Sequence, residues 1–514
     1  MSGYLRRLAT TGAAYTAASI VSKLIAVALL PLYTRYLTKE DYGAAEIMFA
    51  AVVTASIFVR LGLLEALLRF YYKDDEDPDL VVASSFAALF WLATAGALVA
   101  LPFAQPLAEA LGLGEGGAGL ARISIGGLWV LTMNEYLLTL FRLEERARAF
   151  FVTTMANVLL AIALTVILVV AAGEGARGLL VGSYGSGAVV VAVLIVIHRR
   201  RLSLRFERPL LRRLMRFGLP TMPAELSLYG LNFVDRVIIA RSAGVAEVGL
   251  YSLAVKFAQG VNVLVRGFQL AWPPLAYSIR DDGEARRLYA TVVSLFVAGC
   301  AFVVTGMWLL SRWIVRALAS PEFFGSYEAI GLVATGVTLY ALYMVLVVIL
   351  GRTGRTEFNF PATAAALVAN IVLNLVLVPP LGIVGAGLAL VASYLVVLAL
   401  MYGFTQRLFP VPYEWGRLIR VLAVSAALVG LGELLLPTDG FEGFALRALL
   451  WLAYPLALLA TGFFTPGERA WLSRLRHPHE LAVGLRALRA PEPGVDGRIP
   501  ETYEAEQMDE DARL

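Results

Sequence analysis

Polar side chains at helical spacing interrupt the apolar runs of this sequence, and their types define the chemistry available. One run carries Glu225, Tyr229, Asn232 and Arg236, at steps of four, three and four. The next carries Ser252, Lys256, Gln259, Asn262, Arg266 and Gln269. Such spacing puts each set on one face of a helix. Near the start, Thr16, Ser19 and Lys23 form a third set, and Glu46, Ser56 and Arg60 a fourth. A charge inside a bilayer costs about 2.5–3.5 kcal/mol on insertion scales, so it faces protein or water. For any one Asn, Gln or Ser, a hydrogen bond that glues helices together explains the residue as well as a pathway does. Lys23, Arg60, Lys256 and Arg266 point instead to a water-filled cavity, because cations are poor glue without carboxylate partners. Against them stand Glu46 and Glu225, with Glu135 less firmly placed. The cavity is therefore expected to be net basic and to select an anion. Arg grips a phosphate bidentately, whereas Lys acts as a point charge. Glu46 and Glu225 are also the candidates for coupling a proton or sodium ion. Asp235 beside Arg236 reads as a local ion pair, and Arg35 and Arg241 as span-end residues that snorkel.

The elements that position these residues are membrane helices. Of the 514 residues, 59% are hydrophobic and 16% charged. The apolar residues gather in runs of about twenty, the length that crosses a ~30 Å hydrocarbon core as a helix. The pattern predicts an all-α polytopic membrane protein of about fourteen spans. They fall at roughly 12–36, 44–68, 80–104, 120–141, 150–172, 178–198, 216–241, 248–274, 288–311, 327–350, 357–378, 384–405, 418–436 and 445–464. Alternating short strands, the signature of a transmembrane barrel, are absent.

Charge orients the spans. One set of alternate loops holds only Lys39, Arg177, Arg312 and Arg316. The other set holds Arg142, Arg146 and Arg148, the run Arg199-Arg200-Arg201, Arg212, Arg213 and many more. Both termini are therefore expected in the cytoplasm of a cell-membrane protein. Basic loops at a membrane surface touch anionic lipid, so nucleic acid is not an expected partner.

An internal repeat organises the spans. At an offset of 206 residues Arg35 falls on Arg241, Asp41 on Glu247, Gly43 on Gly249 and Arg60 on Arg266. A second match, at 213, pairs Arg142 with Arg355 and Asn157 with Asn370. Spans 1–6 and 7–12 read as two copies of one unit. Six is even, so both copies enter the membrane from the same side, and such repeats place substrate between them. The expected organisation is an N-terminal lobe over 1–200, a C-terminal lobe over 201–415, an appended helix pair over 416–465 and a polar cytoplasmic tail over 466–514. Pro220 and Pro223 should kink span 7.

Several chemistries are excluded. Gly112-Leu113-Gly114-Glu115-Gly116-Gly117 matches a dinucleotide glycine pattern only formally, because no strand precedes it. No phosphate-binding P-loop, hydrolase triad or metal-ligand pattern is present, and Cys300 is the single cysteine. No enzyme activity, cofactor or metal is expected.

Two stretches carry a family resemblance. One is Phe217-Gly218-Leu219-Pro220, followed by Val234-Asp235-Arg236-Val237-Ile238-Ile239 and by the segment from Val248-Gly249-Leu250-Tyr251 to Lys256. The other runs from Leu32-Tyr33-Thr34-Arg35 to Asp41-Tyr42-Gly43. They resemble the polysaccharide flippases of the multidrug/oligosaccharidyl-lipid/polysaccharide exporter superfamily. The resemblance implies two six-helix lobes in a V around a central cavity, with two further C-terminal helices. It also implies export of a polyprenyl-pyrophosphate-linked oligosaccharide by alternating access, with polysaccharide polymerase machinery as a partner. The rival readings are a lipid II flippase, a drug/cation antiporter of the same superfamily, and a membrane glycosyltransferase. The last would need a larger external domain than these short loops supply.

Overall fold

A computed structural model describes residues 25, 28–72, 77–114 and 116–469. Lys23, Ser19 and Thr16 lie outside the described residues, as does the side chain of Asn232. A short helix α1 (Leu30–Tyr36) precedes the first long one, α2 (Lys39–Arg60). Thr38 starts α2 through a capping box: its hydroxyl accepts from the Asp41 amide at 3.1 Å, and the Asp41 carboxylate accepts from the Thr38 amide at 3.4 Å. Asp41 also accepts from the Ala176 amide at 3.2 Å, which fixes a later helix start against this one. At its far end α2 stops where Leu61 and Gly62 turn left-handed, with φ of 48° and 70°.

The described chain is helical throughout its long elements. After α2 come α3 (Leu63–Phe70), α4 (Pro78–Ala100), α5 (Gly117–Leu143), α6 (Ala147–Val166) and α7 (Gly175–His198). A connector leads to the amphipathic α8 (Arg208–Gly218). Then follow α9 (Met222–Ser242), α10 (Val245–Ala258), α11 (Val261–Ser278), α12 (Asp282–Leu318), α13 (Tyr327–Arg352) and α14 (Asn359–Leu408). Side-chain caps open α4, where Asp77 accepts from the Asp79 amide at 2.9 Å, and α12, where Asp281 accepts from the Glu284 amide at 2.7 Å.

Ten helices among the described residues are long and apolar enough to cross a membrane. Span 1 lies largely outside the described residues, and the rest differ in three places from the sequence-predicted spans. Spans 11 and 12 run together as α14, which turns at Gly382 (φ 53°, ψ −132°) just after Pro379 and Pro380. Span 7 is α9, whose polar side chains keep it out of that set. Span 8 is split at Gln259-Gly260 into α10 and α11.

Glycines bring the backbones of the two predicted copies into close contact. A Cβ on Gly43 would lie 2.1 Å from the Val245 carbonyl oxygen, and one on Gly249 would lie 2.3 Å from that of Lys39. The 206-residue offset carries Gly43 onto Gly249 and Lys39 onto Val245. The contact is thus reciprocal, like the interface of a two-fold dimer. At the other end of α2, a Cβ on Gly62 would meet the Gly218 oxygen at 2.0 Å, and one on Gly218 would meet the Gly62 oxygen at 2.3 Å.

The helices α15 (Trp415–Leu435) and α16 (Gly440–Leu452) pack on α12. The Trp451 indole donates to the Phe302 oxygen at 2.9 Å, and the Tyr454 hydroxyl to the Ala298 oxygen at 3.1 Å. Arg447, fully buried, pairs with Glu433 and donates to the Pro437 oxygen at 3.1 Å. The compact unit described so far ends at Tyr454. A second unit, Pro455–Leu514, is described as far as residue 469, where the Thr465 amide donates to Glu468 at 2.8 Å.

Candidate functional site

The polar faces of α2, α9, α10 and α11 meet in the bundle, and most of their charges are paired. Arg60, on the last turn of α2, reaches two carboxylates. Its guanidinium lies 2.9 Å from Glu225 on α9 and 2.8 Å from Glu135 on α5, and its Nε donates to the Ser56 oxygen at 3.3 Å. Glu46, two turns into α2 and 6% exposed, takes two cations. Lys256 Nζ of α10 lies 3.0 Å away and an Arg236 nitrogen of α9 3.6 Å away. Buried charges persist where they are paired in this way.

Asp235 and Arg236 do not pair with each other as the sequence suggests. Adjacent helical residues point about 100° apart, and the two side chains part company accordingly. Arg236 turns to Glu46. Asp235, 1% exposed, accepts from the Tyr251 hydroxyl at 3.0 Å and from the Asn374 amide at 2.8 Å. Asn370 and Asn374 on α14 are fully buried beside it. This knot ties α9, α10 and α14 together and is the polar glue that intramembrane Asn supplies.

Arg266 differs from the other cations of these faces: it is exposed, and among the described residues it has no ion-pair or hydrogen-bond partner. It stands in the wall shared by two cavities. The first, about 250 Å³, is lined by Tyr229, Gln259, Asn262, Tyr340 and Tyr394 with a few aliphatic side chains. The second, about 270 Å³, runs past Gln269 and Trp272 and shares Arg266 and Tyr340 with the first. The structure thus brings Tyr229, Gln259, Asn262 and Arg266 around one space. It pairs Arg60 with Glu225, and Lys256 with Glu46. Lys23 and the Asn232 side chain lie outside the described residues.

Sequence reasoning missed Tyr340 and Tyr394. Both sit in runs that read as plain lipid-spanning helix, and an isolated Tyr among aliphatic residues carries no periodic signal. Glu135, less firmly placed from the sequence, is the second partner of Arg60; it lies with Thr132, Thr139 and Arg142 at steps of three, four and three on one face of α5, a polar stripe that sequence reasoning passed over.

A guanidinium, two amides and three phenols around one space make a site for a polar, anionic, hydroxyl-rich ligand. Residues 32–322, more than half of the chain, match the family described as "Polysaccharide biosynthesis protein". The chain belongs to this family. Among curated proteins, the family member is 26% identical over 313 residues to the succinoglycan biosynthesis transport protein ExoT of Rhizobium meliloti. That match spans 59% of this chain and 61% of ExoT, so about three fifths of the relative's length is represented. An uncharacterised membrane protein of Methanocaldococcus jannaschii is 21% identical over 208 residues, 40% of this chain and 41% of its own.

Solved structures show the fold. The lipid II flippase MurJ in an inward closed conformation superposes with a TM-score of 0.68 at 13% identity, covering 88% of this chain and 98% of MurJ. An inward-facing multidrug resistance MATE transporter gives 0.63 at 18%, covering 75% and 95%. A transporter from Pyrococcus furiosus, described as having a binding pocket of reversed polarity, gives 0.55 at 17%, covering 81% and 95%. The family match makes the chain a polysaccharide biosynthesis protein, and the solved structures show that it shares the multi-span helical fold of these transporters. The relatives with printed functions are transporters and flippases rather than enzymes.

Proposed function

We propose that this protein moves a polyprenyl-pyrophosphate-linked oligosaccharide from the cytoplasmic to the outer leaflet of the cell membrane, by alternating access. Arg266 carries the reading. A cation that lines a space between membrane-spanning helices without a carboxylate partner among the described residues is costly to keep, and a phosphate group is the ligand that best offsets the cost. Tyr229, Tyr340 and Tyr394 present ring faces and hydroxyls to sugars, while Gln259 and Asn262 supply amides. The aliphatic tail stays in the bilayer while the head group occupies the cavity.

Residues 1–200 and 201–415 act as the two lobes, with 416–465 appended and 466–514 a cytoplasmic tail. The reciprocal Gly43 and Gly249 contact supports a two-fold relation between them. The charge count puts the Gly62 end of α2 on the cytoplasmic side and the Gly43 end outside. A pyrophosphate arriving from the cytoplasm competes with Glu225 and Glu135 for Arg60, and so loosens the contact beside Gly62 and Gly218. Lys256 and Lys23 are the next cations on the path. Glu225 and Glu46 remain the candidates for proton or sodium coupling, since neutralising Glu225 leaves Arg60 to Glu135 alone and neutralising Glu46 removes the carboxylate held by Lys256 and Arg236. Polysaccharide polymerase machinery is the expected partner.

Arg266→Glu tests the anion site. Surface polysaccharide should fall to background while membrane insertion stays normal. Wild-type export from a well-inserted Arg266→Glu protein would remove the claim. The extent of the MurJ likeness favours one second reading, a lipid II flippase. Rescue of a strain depleted of that activity would select it, and failure of rescue together with loss of surface polysaccharide would select the first.

A further inference from the structure

The connector from α7 to α9 is pinned to the bundle. Arg201 lies 2.5 Å from Asp79 and 2.8 Å from Glu144. The Trp91 indole donates to the Leu204 oxygen at 3.0 Å, and the Glu207 amide to the Ser84 hydroxyl at 3.2 Å. Pro209 then occupies the first turn of α8. Leu210 and Leu214, 1% and 0% exposed, bury one edge of α8 against α3 and α4. The opposite edge presents Arg208, Arg212, Arg213 and Arg216, all exposed. A concave space of about 520 Å³ opens there, lined by Pro209, Arg212, Arg213, Met215, Arg216 and Leu219.

Apolar groups are exposed at both ends of α8: Trp91, Leu204 and Phe206 at the connector before it, and Leu219 after it in the lining of that space, are each 40% or more exposed. Exposed aromatic and aliphatic side chains among arginines mark the level of the lipid head groups. A soluble anion would use the arginines and leave those apolar groups in water. A membrane lipid satisfies both.

We propose that Arg212, Arg213 and Arg216 form a binding site for the head-group phosphate of an anionic glycerophospholipid, whose acyl chains cover Leu219 and its apolar neighbours. Arg212 and Arg216, one turn apart on one face of α8, can reach one phosphodiester together, with Arg213 beside them. The site adjoins the contact between the lobes, because α8 ends at Gly218, the residue packed on Gly62. Lipid bound here therefore acts on the same helix that closes that end. The site is separate from the Arg266 cavity and stands whether or not that cavity carries a lipid-linked sugar.

The experiment titrates detergent-purified full-length protein with dihexanoyl-phosphatidylglycerol and follows thermal unfolding. Wild type should show a saturable rise in Tm that dihexanoyl-phosphatidylcholine does not give. In an Arg212→Gln, Arg213→Gln, Arg216→Gln protein the apparent affinity should fall roughly ten- to a hundredfold, since each basic residue near an anionic surface contributes several-fold. The triple Lys counterpart should keep most of it. Equal affinity in the Gln protein, or an equal rise with phosphatidylcholine, overturns the site. An equal rise with inorganic phosphate alone overturns the lipid assignment. If the triple Gln protein does not purify, Arg212→Gln alone is compared with wild type: weaker phosphatidylglycerol binding supports the site, and unchanged binding overturns it.

Discussion

The two ends of α2 use one design with the charges exchanged. At the first end, Gly43 lies against Val245 and Gly249 of α10, and nearby Glu46 is held by Lys256 and Arg236. At the second, Gly62 lies against Gly218, and nearby Arg60 is held by Glu225 and Glu135. One end is an anion between two cations. The other is a cation between two anions. Glycine lets the backbones touch, and the ion pairs hold them there. An anionic ligand acts oppositely at the two. It competes with carboxylates for the single Arg60, but it can join Lys256 and Arg236 only by displacing Glu46. The cluster at the Gly62 end carries a formal net negative charge and the one at the Gly43 end a formal net positive charge, so an anion is repelled by the first and drawn to the second.

The largest effect should come from spoiling the reciprocal contact. Gly43→Leu puts a side chain where a Cβ already lies 2.1 Å from a backbone oxygen, which no rotamer relieves. Overpacking of this kind costs about 1–3 kcal/mol, enough to shift a two-state equilibrium by about ten- to a hundredfold. Export should collapse, and residues at this end should become more reactive to external labelling. Gly126→Leu is the control, because nothing lies within 4 Å of a Cβ there. Normal export from a well-inserted Gly43→Leu protein would mean that this end need not close during transport.

The exchanged charges predict different losses of stability. Arg60→Met strands two carboxylates, and removing one partner of a buried pair costs about 3–5 kcal/mol. Glu225 and Glu135 are partly exposed, at 24% and 38% of their side chains, so the lower end of that range applies. A second change, Glu225→Gln, should restore part of the loss. Lys256→Met should cost less, because Arg236 still serves Glu46. Thermal unfolding of the purified variants in one detergent ranks them. Equal losses for Arg60→Met and Lys256→Met would erase the contrast between the two ends.

Much of this arrangement was legible in the residues, and the remainder was not, for physical reasons. Apolar run length and 3.6-residue periodicity are local properties, so spans and polar faces could be read directly. The 206-residue offset even paired Gly43 with Gly249, which the fold brings together. Periodicity gives the face on which a residue lies but not the partner across from it. Hence Arg60 and Lys256 looked like free cations until α5, α9 and α2 packed together. Adjacency misled at Asp235 and Arg236, where the helix sends neighbours in different directions. Tyr340 and Tyr394 left no trace, because a phenol in an aliphatic run is equally at home in the core, at an interface or in a cavity.

The smallest predicted effect bears on how far the Gly43 end depends on local structure. Thr38 caps α2 one residue before Lys39, whose carbonyl oxygen meets Gly249. Thr38→Ala removes the hydroxyl that accepts from the Asp41 amide, at a typical cost of about 1 kcal/mol. Asp41 keeps its bond from the Ala176 amide, so α2 and α7 stay in register and the helix as a whole survives. Only its first turn should fray. That turn carries Lys39 and Gly43 but lies far from Arg60. Labelling at the Gly43 end should therefore rise modestly while the Gly62 end is unchanged. A matching rise at both ends would show that the two contacts are rigidly coupled through α2, and that the ends of this helix do not open one at a time.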